Sequence, residues 1–101
     1  MDENNELWNK CAEFHGHVCG GLTMGYRAAL YAAELLDLHF SKDEQVVCVA
    51  ENDACGMDAI QVIPGCSVGK GNLLFHITGK QVWSFYNRKT GKSLRLVVKL
   101  D

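Results

Sequence analysis

The chain has 101 residues, 48% of them hydrophobic and 22% charged, which fits one domain spanning residues 1–101 and leaves no room for a second. The net charge of -2 indicates neither a nucleic acid nor an anionic membrane as partner, and no apolar run reaches the roughly 20 residues that span a bilayer. The acidic start is unlike a signal peptide, so we expect a cytoplasmic protein whose five cysteines are reduced rather than paired in structural disulfides.

Two helices are predicted in the first 38 residues. Apolar side chains recur at helical spacing between residues 4 and 14, and Gly16 then interrupts the pattern. Residues 22–38 are apolar or alanine nearly all round, which is typical of a long helix buried at the centre of a domain. Cys11, on the apolar face of the first helix, is a predicted core residue.

The remaining chain predicts one strand, one short helix and then three strands. Residues 46–50 form a continuous apolar run typical of a buried strand, and a polar turn leads to a short helix over residues 57–63. Glycine-containing turns separate the three later runs, residues 72–77, 81–86 and 93–100. This order predicts an α+β fold, with two or three helices packed on a mainly antiparallel sheet that ends in a C-terminal β-meander.

The turn before the long helix carries soft metal ligands. Residues 14–21 read FHGHVCGG, so His15, His17 and Cys19 alternate with small or apolar residues. Such spacing puts ligands on one side only where the backbone is extended, which a glycine-broken turn permits. Cys19 comes just before the first turn of the helix, where unpaired N–H groups and the helix dipole stabilise a thiolate.

A second thiol, Cys55, is predicted at another helix start. Two thiols at two helix N-termini can converge on one point, and an adjacent histidine would complete a set that suits Zn²⁺. Three protein ligands would leave one coordination position open for water or a small molecule. Further candidates for this site are His15, Asp53 and Cys66. Cys48 lies within the predicted strand and is assigned to the core.

Three motifs in this order resemble the signature of the formylmethanofuran dehydrogenase E-subunit family. They are FHGHVCGG with GYRAA after it, DACGMDAIQ beginning at Asp53, and GCSVGKGNL beginning at Gly65. The similarity runs from residue 11 to about residue 90. It implies an α+β core, a homodimer, and a cleft in which His17, Cys19 and Cys55 are the metal ligands. Longer members carry a C-terminal zinc finger, which we do not expect in this chain.

The resemblance leaves open whether the chain is an enzyme. The named enzyme is a multi-subunit molybdenum or tungsten oxidoreductase whose catalytic cofactors belong to other subunits. Where the family usually has proline after the motif cysteine, this chain has Gly20. We therefore expect a small protein that binds a divalent transition metal, with zinc as the favoured ion, and that is accessory to a redox or metal-cofactor system. The alternatives are a metal-free thiol redox protein that uses Cys19 and Cys55, or a non-catalytic dimeric interaction module.

Overall fold

The computed structural model describes residues 3–38 and 45–98, with side chains from residue 6. In this part of the chain the helices are α1 (Glu3–His15), α2 (Gly20–Leu36) and α3 (Met57–Val62). The strands are β1 (Val46–Ala50), β2 (Leu73–Phe75), β3 (Val82–Asn87) and β4 (Lys92–Val97). The helices pack on a mostly antiparallel sheet, which confirms the predicted α+β fold. The end of the last predicted strand, residues 99–100, lies outside the described residues.

The sheet has the strand order β2-β1-β3-β4, so the prediction of a three-stranded C-terminal meander is wrong. β3 and β4 do form an antiparallel hairpin, but β2 pairs in parallel with β1, with Cys48 opposite Leu73. β1 then separates β2 from β3, with which it pairs antiparallel.

Hydrogen bonds to the end of β1 explain the difference. The sequence Thr78-Gly79-Lys80 has the composition of a hairpin turn. In the structure, however, the N–H groups of Thr78 and Gly79 both donate to the carbonyl of Glu51, at 3.0 and 3.1 Å. This segment therefore crosses the end of β1 instead of folding β3 back on β2. The continuous apolar sequence of β1 fits its central place in the sheet.

α2 is the longest helix of the described residues and packs closely on α3. It buries one face, formed by Leu22, Gly25, Ala29, Ala32 and Leu36. Outside this face of α2, Tyr31 is 53% exposed and Leu35 is 48% exposed. No helix in the described ranges combines the length and apolar character needed to cross a bilayer.

The contact between α2 and α3 depends on glycine. A Cβ atom at Gly25 would lie only 2.2 Å from the carbonyl oxygen of Gly56, so the two backbones touch where a side chain would prevent it. α3 is also held to the sheet, because the indole N–H of Trp83 in β3 donates to the sulfur of Met57 at 3.2 Å. These contacts set the start of α3 beside the start of α2.

The core between helices and sheet contains three of the five cysteines. Cys11, Cys48 and Cys66 are all fully buried, beside large side chains such as Trp83 and Phe85 of β3. The predicted core positions of Cys11 and Cys48 are therefore confirmed. The other two cysteines, Cys19 and Cys55, are partly exposed.

Candidate metal site

Cys19 is the residue that caps the N-terminus of α2. Its backbone is extended, with φ -151° and ψ 169°, and its sulfur accepts a hydrogen bond from the backbone N–H of Leu22 at 3.4 Å. This N–H group is the largest cause of a lowered pKa for the Cys19 thiol, and hydrogen bonds with Cys55 and His15 lower the pKa further. The sequence places a thiol where the helix end stabilises its anionic, metal-binding form.

His15, the last residue of α1, faces the Cys19 sulfur. Its Nε2 atom lies 3.8 Å from the Cys19 Sγ atom. The turn between the two helices begins at Gly16, whose φ of +101° suits glycine and reverses the chain after the histidine. The reversal also brings in His17, whose ring centroid lies 4.5 Å from that of His15.

His15, His17 and Cys19 together form a group able to hold a metal ion, here called the three-ligand group. One potential ligand atom from each residue lies within 4.8 Å of the other two. Around tetrahedral Zn²⁺, bond lengths of about 2.3 Å to sulfur and 2.0–2.1 Å to nitrogen separate these two ligand atoms by about 3.6 Å. The 3.8 Å between His15 Nε2 and Cys19 Sγ is close to this value, so these residues fit a zinc ion.

Asp58 orients His15, and its role could not be predicted from the sequence pattern. The Nδ1 atom of His15 lies 2.7 Å from the Asp58 carboxylate, which accepts its hydrogen bond, and this bond is the largest cause of a raised pKa for His15. The amide of Gln61 donates to the other carboxylate oxygen at 3.0 Å. Nδ1 is thus engaged and Nε2 faces Cys19, the arrangement in which a carboxylate aligns a metal-binding histidine. The available signal was a carboxylate in the first turn of α3, three residues after Cys55.

Cys55 lies beside Cys19 but outside the three-ligand group. Interaction with the Cys19 thiol is the largest cause of a raised pKa for Cys55. The approach depends on Gly21, since a Cβ atom there would lie 3.0 Å from the Cβ atom of Cys55. The structure thus brings together His17 and Cys19 of the predicted ligand set, with His15 in the group where Cys55 was expected.

The remaining predicted site residues lie in two different places. A cavity of about 470 Å³, here called the cleft, has Asp53 and Cys55 in its lining together with His15, Asp58 and Phe75. Cys66 is fully buried, and its thiol donates to the carbonyl of Val46 at 3.5 Å. Burial raises the pKa of Cys66 to about 12, so this thiol is a protonated core group.

Comparison of the sequence with known proteins finds a matching family. The family model described as "FmdE, Molybdenum formylmethanofuran dehydrogenase operon" matches residues 14–101, which include every residue of the candidate site. A "Probable S-adenosyl-L-methionine-binding protein" of Archaeoglobus fulgidus is 31% identical over 96 residues, or 91% of this chain. The match covers 26% of that relative, so this chain spans about a quarter of its length.

Proposed function

Because the chain belongs to the FmdE family, we propose that it is a metal-binding domain holding one divalent transition-metal ion, with zinc as the preferred ion. The ligands are His15, His17 and Cys19. The observation that carries the proposal is the clustering of their ligand atoms within 4.8 Å at the junction of α1 and α2. Two imidazoles and one thiolate are ligands that Zn²⁺ favours.

The three-ligand group leaves one position of a tetrahedral ion for a non-protein ligand. His15 belongs both to this group and to the lining of the cleft, so the cleft supplies room for water or a small molecule at that position. A zinc ion with three protein ligands supplies Lewis-acid chemistry and makes bound water more acidic. Asp58 would hold the imidazole of His15 in place while its Nε2 atom binds.

The biological setting we propose is accessory to a redox or metal-cofactor system in the cytoplasm. The description of the family, which refers to a molybdenum enzyme operon, supports the accessory role. Two partly exposed free thiols support a reducing compartment. We also propose a homodimer. Its support is apolar exposure near the site: Phe14 and Val18 are 57% and 64% exposed, and Phe75 in the cleft lining is 44% exposed.

Metal analysis of untagged, reduced protein tests the proposal. We expect about one zinc ion per chain, and a loss of at least about 100-fold in zinc affinity for Cys19→Ser and for His15→Ala. His76→Ala removes an exposed histidine outside the three-ligand group and is the matched control, with unchanged affinity expected.

The variant Cys55→Ser separates the proposed ligand set from the one expected from the sequence. Zinc binding that survives this change supports His15 as the third ligand. Zinc binding abolished by Cys55→Ser but retained by His15→Ala would restore the set His17, Cys19 and Cys55. Absence of stoichiometric zinc in the reduced wild-type protein would overturn the proposed function.

A further inference from the structure

The two partly exposed cysteines of the chain both lie at the start of α2. Cys11, Cys48 and Cys66 are fully buried, whereas Cys19 and Cys55 are partly exposed. Cys19 caps α2, and Cys55 packs against Gly21, two residues further along that helix. Because all five positions lie in the described ranges, this division covers every cysteine of the chain. The thiols available to reagents in solution are thus two neighbours contributed by two different helix starts.

Backbone contacts between α2 and α3 hold these two cysteines at the same end of α2. Cys55 packs over Gly21, where a Cβ atom would lie 3.0 Å from the Cys55 Cβ atom and 3.7 Å from its sulfur. One turn further along α2, Gly25 touches the backbone of Gly56. Cys19 precedes these glycines at the cap of α2, so the α2–α3 contact keeps the pair together without a metal ion.

The two thiols differ in their relation to the proposed metal site. Cys19 belongs to the three-ligand group, so its sulfur is occupied when an ion is bound. Cys55 lies outside that group and lines the cleft, so a small reagent entering the cleft reaches it first. Access to solvent and a neighbouring second cysteine are two features of redox-sensing sites.

We propose that Cys55 and Cys19 form a hydroperoxide-responsive pair whose oxidation releases the bound ion. This inference rests on the proposed function, since it concerns regulation of the same site. In the first step the Cys55 sulfur attacks one oxygen of a hydroperoxide and the O–O bond breaks. The product is Cys55 sulfenic acid, and the thiol proton goes to the departing oxygen to give the corresponding alcohol or water. In the second step the Cys19 thiolate attacks the sulfenic sulfur, forming the disulfide, and the departing hydroxide takes a proton to become water.

The electron balance and the effect on the ion follow from these steps. The two sulfur atoms lose two electrons in total, and the peroxide bond receives them. The Cys19 sulfur is then a neutral disulfide sulfur instead of a thiolate, so the three-ligand group keeps two imidazoles. A metal site that loses its thiolate binds zinc far more weakly, and reduction of the disulfide restores the ligand.

Treating reduced, zinc-loaded protein with hydrogen peroxide tests this inference. A chromophoric zinc chelator reports release, while mass spectrometry with alkylation of free thiols maps disulfides. For the wild-type chain we expect release of the bound zinc, a mass decrease of about 2 Da for the two hydrogens lost, and a peptide linking Cys19 to Cys55. Dithiothreitol should restore binding, with the three buried cysteines unoxidised throughout.

The matched variant is Cys55→Ser, which keeps the three-ligand group and removes the partner thiol. We expect its zinc release at the same peroxide dose to be at least about tenfold slower. Equal release from the variant and wild type, or a disulfide between chains in place of the internal one, would overturn the inference. If the reduced protein binds no zinc, the proposed function is wrong and so is the release of an ion on oxidation. Disulfide mapping then still shows whether Cys19 and Cys55 form a bond.

Discussion

Cysteine thiols have opposite pKa shifts in the core and at the start of α2. In the core, burial raises the pKa of Cys11 to about 11 and that of Cys66 to about 12, and it raises the pKa of Cys48 further. At the start of α2, the N–H group of Leu22 lowers the pKa of Cys19. The core thiols therefore behave as small hydrophobic groups, whereas Cys19 is suited to bind a metal ion.

This difference shows that a cysteine in this chain is defined by its surroundings. Cys66 and Cys55 both follow a turn-forming sequence, and both were candidates for the site. Cys66 points toward the carbonyl of Val46 inside the core, while Cys55 lines the cleft and packs against Gly21 of α2. Substitutions that remove a thiol from the core or from the site, or that disturb the packing around the site, therefore test this difference.

The largest effect is expected from separating α2 and α3. In Gly25→Ala the added methyl group would meet the backbone of Gly56, so we expect a loss of about 3 kcal/mol in the free energy of unfolding. Gly20→Ala is the control, because nothing lies within 4 Å of a Cβ atom there. Urea denaturation measures both. Equal stability of the two variants would show that the helices do not touch as described.

A second prediction compares the removal of a site cysteine with the removal of a core cysteine. Cys19→Ala should weaken zinc binding by at least about 100-fold while changing the stability of the metal-free protein by less than about 1 kcal/mol. Cys11→Ala should leave zinc affinity unchanged and lower stability by about 1–2 kcal/mol, because it leaves a cavity in the core. Calorimetric zinc titration and denaturation distinguish the two. If both variants lose both properties, the division between core and site is wrong.

A smaller effect on zinc is expected from Asp58, which does not belong to the three-ligand group. Asp58→Asn keeps the shape of the side chain but weakens its hydrogen bond to His15, so we expect zinc affinity to fall by about 10–100-fold. Asp53→Asn removes the same charge elsewhere in the cleft lining and should have little effect. Competition with a chromophoric chelator gives both affinities. Equal losses would mean that charge alone, rather than orientation of the imidazole, favours the ion.

The smallest effect is a pH dependence of the metal-free protein. Asp58 raises the pKa of His15, so their pairing stabilises the fold fully below the imidazole's ordinary pKa of about 6.5 and ceases to do so as pH rises through the raised value. The melting temperature of the wild type should therefore exceed that of Asp58→Asn by more at pH 5.5 than at pH 8.5. A difference that grows with pH would contradict the assigned pair.

The sequence was sufficient to predict the helices and strands and part of the candidate site. Helical spacing predicted α1 and α2, and the alternating His-x-His-x-Cys pattern identified three residues that do lie together. The pairing of β2 with β1 could not be predicted from the sequence, because it depends on hydrogen bonds between Glu51 and a segment 27 residues later. The composition of that segment predicted a hairpin turn. No local sequence feature distinguishes a hairpin turn from a segment that crosses the end of β1.

The role of Asp58 was hidden for a similar reason. Its contact with His15 joins residues 43 positions apart and depends on the Gly25–Gly56 approach between α2 and α3. The sequence supplied both glycines, but their partnership is a property of helix packing. Spacing predicts ligands that are neighbours along the chain, whereas the residues that orient them are fixed by tertiary structure.

X-ray absorption spectroscopy of the zinc-loaded, reduced chain, purified without a histidine tag, tests the central claim most directly. The account predicts a first shell of one sulfur at about 2.3 Å and two imidazole nitrogens at about 2.0–2.1 Å, completed by one light ligand. A shell with two sulfur atoms would place Cys55 on the ion, and a shell without imidazole would remove His15 and His17 from it. Either result would contradict the three-ligand group.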